Sequence, residues 1–403
     1  MDLEAAFGRG PAPAPLPTAG EPALVERIRA EIEADGPITF ARFMELALYE
    51  PGLGYYRGAT ERPGRAGDFL TAPETHPIFG AAIARQLDEI WRRLDRPARF
   101  VLREYGAGSG ALAAAILDAL AGRGQLGRVA GSPGLAAALR YAPVELNAFR
   151  REELVRRIEA AGSGSVLELE AGAEEVGAVL ANEFVDALPV HRVVGRRGGQ
   201  LEELFVDWDE SGFVERAGEP SSPALAARFA ADGIVLADGA RAEVCLELDG
   251  WLGEVAQGLA RGAVLIVDYG HLAGELYGPA RGAGTLLAYS AHRAHDDWTV
   301  AVGRQDLTAH VDFSALERAA RAAGLTPLGL TTQAEFLVGA GMDELLEAIR
   351  SDPDTTLEEW LAVRSSVARL LDPRAMGGFR VSLLGRGLAP DPPLIGLRFR
   401  LPA

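Results

Sequence analysis

Residues 99–110 read R-F-V-L-R-E-Y-G-A-G-S-G, and Ala111–Leu120 continue A-L-A-A-A-I-L-D-A-L. The stretch 99–105 predicts a buried strand, and the alanine-rich stretch after the glycines predicts a helix. Glycine lets the chain turn tightly between them and lets a ligand come close to the backbone. Working outward, the alternation repeats. Residues 140–146 predict a second strand and about 148–160 a helix, with a Gly-rich, loop-like linker at 121–139. Residues 178–181 close a further strand, and 264–267 form a strongly apolar one. A helix over 313–323 stops at Gly324. Residues 325–330 and 394–401 read as the last strands. Alternating strands and helices imply an α/β fold with a doubly wound, mostly parallel sheet, whose ligands sit beyond the carboxyl ends of the strands.

The first such end carries an acid, Glu104, two residues before Gly106, and the glycines run G-x-G-x-G through Gly108 and Gly110. A dinucleotide site would space its last two glycines as G-x-x-G, so a nicotinamide-dependent dehydrogenase fits poorly. The shorter spacing is typical of class I methyltransferases, where the loop cradles a methionine moiety and a ribose. A second acid, Glu145, stands at the end of the next strand, where a carboxylate accepts from ribose hydroxyls. The cofactor expected is S-adenosyl-L-methionine, held by Glu104, Gly106, Gly108, Gly110 and Glu145.

The chain has 403 residues and a net charge of −17, and all its basic residues are Arg. An acidic surface argues against nucleic acid as a partner, which needs a basic footprint, and is compatible with a cationic substrate. The single cysteine, Cys245, permits no internal disulfide and reads as a core thiol. No run of about 20 apolar residues is present, so no membrane insertion is expected. With no secretory signal, a cytoplasmic location is expected. Residues 1–20 read as a disordered tail and 21–97 as a helical N-terminal extension, with Thr39 as a helix cap. Residues 98–403 read as the main domain, with an insertion at about 190–260 containing a hairpin of 191–194 with 201–208. A long stretch at 49–77, dense in Gly, Pro and aromatic residues, reads as functional from its length.

Longer motifs carry a family resemblance. Gly67-Asp68-Phe69-Leu70-Thr71-Ala72-Pro73-Glu74 resembles the G-D-F-x-T-A-P-E signature of MidA-like proteins. Ala181-Asn182-Glu183-Phe184-Val185-Asp186-Ala187-Leu188-Pro189 resembles their A-N-E-F-x-D-A-L-P signature. Asp268-Tyr269-Gly270, the stretch D-L-T-A-H-V-D-F at 306–313 and Q-A-E-F-L at 333–337 are similar to three more. The matches run from about residue 40 to 378. The resemblance implies a class I methyltransferase with a helical N-terminal extension and an insertion before the fifth strand. Mitochondrial members are assembly factors for respiratory complex I and methylate an arginine on one of its subunits. Many members carry G-P-G-R-G where this chain has Gly106-Ala107-Gly108-Ser109-Gly110, so an Arg is lost and the three glycines are kept.

The resemblance directs attention to Glu183 and Asp186, just past the fourth strand of the class I fold, where the transferred methyl is met. They are expected to hold a guanidinium, with Asn182 orienting backbone or substrate. The alternative is a capped turn in which Asp186 satisfies backbone donors. Asp68, Thr71 and Glu74 are expected to close over the cofactor. Asp268 either lines the pocket or caps the following loop. His310 and Asp312 match no zinc pattern, so no metal is expected. Asp312 reads as a helix N-cap and His310 as a pocket or core residue. The partner expected is a protein substrate, with a respiratory complex subunit as a candidate, and a homodimer is admitted. Alternatives are a small-molecule methyltransferase and an assembly factor that binds S-adenosyl-L-methionine without turnover.

Overall fold

The computed structural model describes residues 19–58, 72–169, 172, 174–290 and 293–401. Six strands form the central sheet: β1 (Phe100–Tyr105), β2 (Leu139–Val144), β3 (Glu175–Asn182), β4 (Leu259–Asp268), β5 (Thr326–Thr332) and β6 (Arg380–Arg386). Their order is β5-β6-β4-β3-β1-β2. The first four run parallel, with Leu102 level with Tyr141 on one side and Ala178 on the other. β6 is antiparallel to both its neighbours.

The parallel strands are apolar on both faces because helices cover both. One face packs against helices Ile78–Arg93, Ala111–Leu120 and Ala148–Ala160, through Phe79, Ile83, Ile116 and Leu154. The other packs against Glu247–Gly258 and Phe313–Ala322, through Leu252, Val255, Phe313 and Leu316. Asp312 caps the second of these, accepting from the Ala315 N–H at 2.9 Å.

A second core joins segments distant in sequence. Thr39 caps helix Phe40–Tyr49, accepting from the Arg42 N–H at 3.1 Å. Ile38–Thr39 pairs antiparallel with the strand Gln200–Asp209, which pairs in turn with His191–Arg196. Phe40 and Phe43 pack edge-on against Trp298 at centroid separations of 5.3 and 5.0 Å, and Phe43 against Phe213 at 5.3 Å. The N-terminal helices and the inserted hairpin therefore share one apolar core.

Two expectations are corrected. Residues 394–401 hold no strand. They carry the short turn Ile395–Leu397, whose spacing of three buries Leu394 and Leu397 together. The last strand is instead β6, where Val381, Leu383 and Leu384 are buried. The linker 121–139 is not loop alone. It holds the short helices Gly124–Ala130 and Pro133–Ala138, which bury Ala130, Leu135 and Ala138.

Candidate functional site

From β1 the chain passes to β2 on one side and then to β3 on the other, which makes a switch point between β1 and β3. A cavity of about 450 Å³ lies there, within the size range of small-ligand pockets.

Three loops build it. After β1, Gly106, Gly108 and Gly110 have φ of 67°, 55° and 77°. A side chain in this left-handed region costs about 1–2 kcal/mol. The Gly106 N–H donates to the Val144 carbonyl at 3.0 Å, which ties the turn to β2. Beyond β2, the Glu145 carboxylate accepts from the N–H groups of Gly108 and Asn147, each at 2.7 Å. Asn147 caps helix Ala148–Ala160 and donates through its amide to the Tyr56 carbonyl at 3.0 Å. Glu104, at the end of β1, is buried and accepts from the Tyr141 hydroxyl at 2.5 Å. Burial pushes its pKa up to about 7 against the pull of that hydrogen bond.

The third loop follows β3. Glu183 has φ of 49°, unusual for a residue with a side chain. Its N–H donates to the Val267 carbonyl at 2.8 Å, which fixes that conformation. Its carboxylate accepts from the Ala72 N–H at 3.1 Å and the Asn182 amide at 3.2 Å. Burial raises the Glu183 pKa to about 8; the Ala72 hydrogen bond opposes this and the charge of Asp186 adds to it. Asp268, fully buried at the end of β4, accepts from the N–H groups of Phe184, Val185 and Asp186 at 3.2, 2.9 and 3.2 Å. Asp268 thus gathers the N–H groups of this turn, and Asp186 adds backbone hydrogen bonds of its own from residues 186 and 187. Asp186 is buried, accepts from the Tyr269 hydroxyl, and has its pKa raised by burial to about 6. Its Oδ1 and the Oδ1 of Asn182 are buried acceptors with no partner among the described residues.

Glu74, Glu104, Gly106, Gly108, Glu145, Asn182 and Glu183 all line the cavity. Gly110 stands behind it, where a Cβ would lie 2.8 Å from Leu154 Cγ. Asp186 is not among the described residues that line this cavity and lies behind Tyr269, whose hydroxyl donates to it. Asp68 and Thr71 fall outside the described residues. The sequence reading assigned no role to several wall residues, among them Tyr49, Tyr56, Trp251 and Glu254. Tyr49 and Tyr56 stack at 5.6 Å with rings 25° apart. Tyr49 donates to the Ala187 carbonyl at 2.9 Å, and Tyr56 to both oxygens of Asp306 at 2.8 Å. Their signal was the aromatic-rich stretch at 49–77. Trp251, Tyr105 and Phe184 form an aromatic cluster with centroids 5.5–5.7 Å apart.

Glu183 also lines a second cavity of about 410 Å³, with Tyr269, His271, Tyr289, His310 and Phe379. His310 is held neutral, its pKa lowered by burial to about 4. Burial pushes the Cys245 thiol up to about 12, far from a nucleophile's range. Among the described residues no group of three or more His, Cys, Asp or Glu is arranged to hold a metal. Nor is any helix there long and apolar enough to cross a membrane.

The profile of the S-adenosyl-L-methionine-dependent methyltransferase family of MidA-like proteins matches residues 82–331. The mitochondrial protein arginine methyltransferase NDUFAF7 of Danio rerio is 30% identical over 376 residues, covering 88% of this chain and 84% of that protein. Its Drosophila melanogaster homologue is 31% identical, with 89% and 83% covered. A Burkholderia thailandensis protein solved with S-adenosyl-homocysteine bound has a TM-score of 0.82 and 35% identity, covering 96% of this chain and 98% of that one. With this sheet order, this switch-point cavity and these likenesses, the chain belongs to the family of S-adenosyl-L-methionine-dependent methyltransferases.

Proposed function

We propose that the chain transfers a methyl group to an arginine side chain of a partner protein. The observation that carries this is Glu183, a carboxylate on the wall of both cavities, held in a left-handed backbone conformation. Strain at such a position costs about 1–3 kcal/mol and clusters at functional sites. The names of the relatives, protein arginine methyltransferases over most of their length, support arginine as the acceptor.

The cofactor's fit is tested by the donors and acceptors of the cleft. Glu145 keeps lone pairs free for ribose hydroxyls while holding the glycine turn. The unpartnered Asn182 Oδ1 lies in a residue that lines the same cleft, and a buried acceptor of this kind requires a donor. Glu74 on the same wall adds negative charge that suits a cationic ligand. Residues Glu104, Gly106, Gly108, Glu145 and Asn182 would therefore hold S-adenosyl-L-methionine, with Glu74 on the same cleft wall. When bound, it supplies a sulfonium methyl to the acceptor nitrogen, the electrons of the broken C–S bond staying on sulfur.

The chain's own work is positioning and charge. A guanidinium is a weak nucleophile, so orientation contributes most. Glu183 accepts hydrogen bonds from it, as carboxylates do in charge-assisted pairs, and its carboxylate takes the proton that the acceptor nitrogen sheds. Asp186 fixes the Tyr269 hydroxyl beside it. On the same reading the acceptor protein is a respiratory complex subunit met in the cytoplasm.

The test is incubation of the chain with methyl-deuterated S-adenosyl-L-methionine and an arginine-containing peptide library, followed by mass spectrometry. Label on arginine in wild type, and at least tenfold less in Glu183→Gln, is expected. Label confined to small molecules, or none, overturns the proposal.

A further inference from the structure

We infer that the second cavity is the channel through which the acceptor's guanidinium reaches Glu183, separate from the cleft that takes the cofactor. The inference rests on the proposed arginine acceptor and adds the route and the residues that select for it.

Three observations carry it. First, among the described residues Glu183 is the one shared by the walls of the two cavities. A methyl donor held in one and an acceptor held in the other would meet at that carboxylate.

Second, the wall suits a cation on a slender stem. Tyr269 and Phe379 lie with centroids 5.3 Å apart, and Tyr269 and His310 at 5.4 Å with rings 70° apart. Tyr289 completes the aromatic lining. Aromatic faces attract guanidinium groups, and more strongly where water is excluded. An aliphatic stem packs on the same rings.

Third, the imidazoles facing the cavity carry no positive charge that would repel a cation on its way to Glu183. His271 accepts at Nε2 from the Arg281 guanidinium at 2.7 Å. Arg can only donate, so that imidazole is neutral. His310 is neutral as well, its pKa lowered by burial. Arg374 is the cation among the wall residues; its side chain is 92% exposed, beside Asp372 with Nε 3.6 Å from Oδ1. The channel thus runs from a solvated rim, past neutral and aromatic walls, to a buried acid.

The test uses a defined probe rather than the unidentified acceptor protein. The probe is adenosine carrying a guanidinium on a short alkyl tether at its 5′ carbon, compared with the same molecule ending in neutral urea. Calorimetric titration of wild type at pH 9, where Glu183 is ionised, is expected to show at least tenfold tighter binding of the guanidinium form. Tyr289→Ala and Phe379→Ala are expected to cut that advantage at least fivefold while S-adenosyl-homocysteine affinity stays within twofold. An advantage in wild type that both variants keep intact overturns the channel while leaving the arginine reading standing. No advantage in wild type overturns the arginine reading, and the channel with it. If either variant also loses S-adenosyl-homocysteine binding, Tyr289→Phe and Phe379→Leu keep the fold. With these, an undiminished guanidinium advantage in Tyr289→Phe together with a reduced one in Phe379→Leu supports an aromatic channel, and no change in either overturns it.

Discussion

The Glu145 carboxylate accepts the Gly108 N–H at 2.7 Å, so the acid after β2 both holds the glycine turn in shape and faces the cavity beside it. Two tasks on one side chain make its loss costly. Hydrogen bonds to charged groups contribute about 1.5–3 kcal/mol each, and about 1.4 kcal/mol is tenfold in affinity. Glu145→Ala is therefore expected to weaken S-adenosyl-L-methionine binding by at least about thirtyfold, measured by calorimetry. An affinity within threefold of wild type would place the ribose elsewhere.

Gly110 is packed against Leu154, and a Cβ there would lie 2.8 Å from Leu154 Cγ and 3.2 Å from its Cα, at φ of 77°. Gly110→Ala thus combines left-handed strain of about 1–2 kcal/mol with overpacking of about 1–3 kcal/mol. Gly108 differs: its φ is 55°, but a Cβ would meet Arg150 Nη1 at 3.6 Å and the Gly106 carbonyl oxygen at 3.9 Å, both ordinary contacts. Gly110→Ala is expected to lower the thermal midpoint more than Gly108→Ala does. Gly108→Val is expected to abolish cofactor binding by projecting into the cleft. Equal midpoints for the two alanine variants would contradict the packing argument.

This pair of glycines also marks what a sequence can disclose. The turn after β1, the acid after β2 and the order of strand and helix are local, so spacing reveals them. The burial of Asp186 behind Tyr269 is not local: it needs β3 and β4 adjacent, with Asp268 gathering three N–H groups of the intervening turn. The stacked pair Tyr49 and Tyr56 reaches the cleft only because Phe40–Tyr49 docks on the inserted hairpin. Neither partner shows that contact alone. Residues 397–401, L-R-F-R-L, alternate with a strand's period of two and still form no strand: Leu394 and Leu397 are buried by a short turn while Leu401 is exposed, an outcome set by tertiary packing rather than by local pattern.

Four carboxylates of the site are raised, Asp186 to about 6, Glu104 to about 7, Glu183 to about 8 and Asp268 well above the usual carboxylate range, burial being the first cause in each. The unfolded chain releases these protons by about pH 5, so the folded chain binds more protons between pH 5 and 8. The contribution of the first three to stability is complete below about pH 4 and is lost as pH rises through 6 to 8. The slope of thermal midpoint against pH over that window is expected to flatten in the double variant Glu104→Gln, Glu183→Gln. An unchanged slope would show that these groups titrate normally.

The same carboxylate sets a kinetic signature. With a pKa of about 8 in the free chain, Glu183 is mostly protonated at neutral pH and binds a cation poorly until it ionises. The kcat/KM for an arginine acceptor is expected to rise with pH through about 8, because that ratio reports the free enzyme. Glu183→Gln is expected to lose most activity and with it this ascending limb.

Asp186 acts through Tyr269 rather than on the acceptor, and that difference is measurable. Tyr269 donates its hydroxyl proton to the buried carboxylate, and the Tyr269 ring lines the cavity with Glu183. Asp186→Asn keeps the volume but removes the charge that orients the hydroxyl. Tyr269→Phe removes the hydroxyl and keeps the ring. Each is expected to lower kcat about tenfold with cofactor affinity within twofold. Since the two residues form one interaction, the double variant is expected to lose little more than either single one. Multiplying losses, about a hundredfold in the double variant, would mean that the two side chains act independently and that Asp186 has a role beyond placing Tyr269.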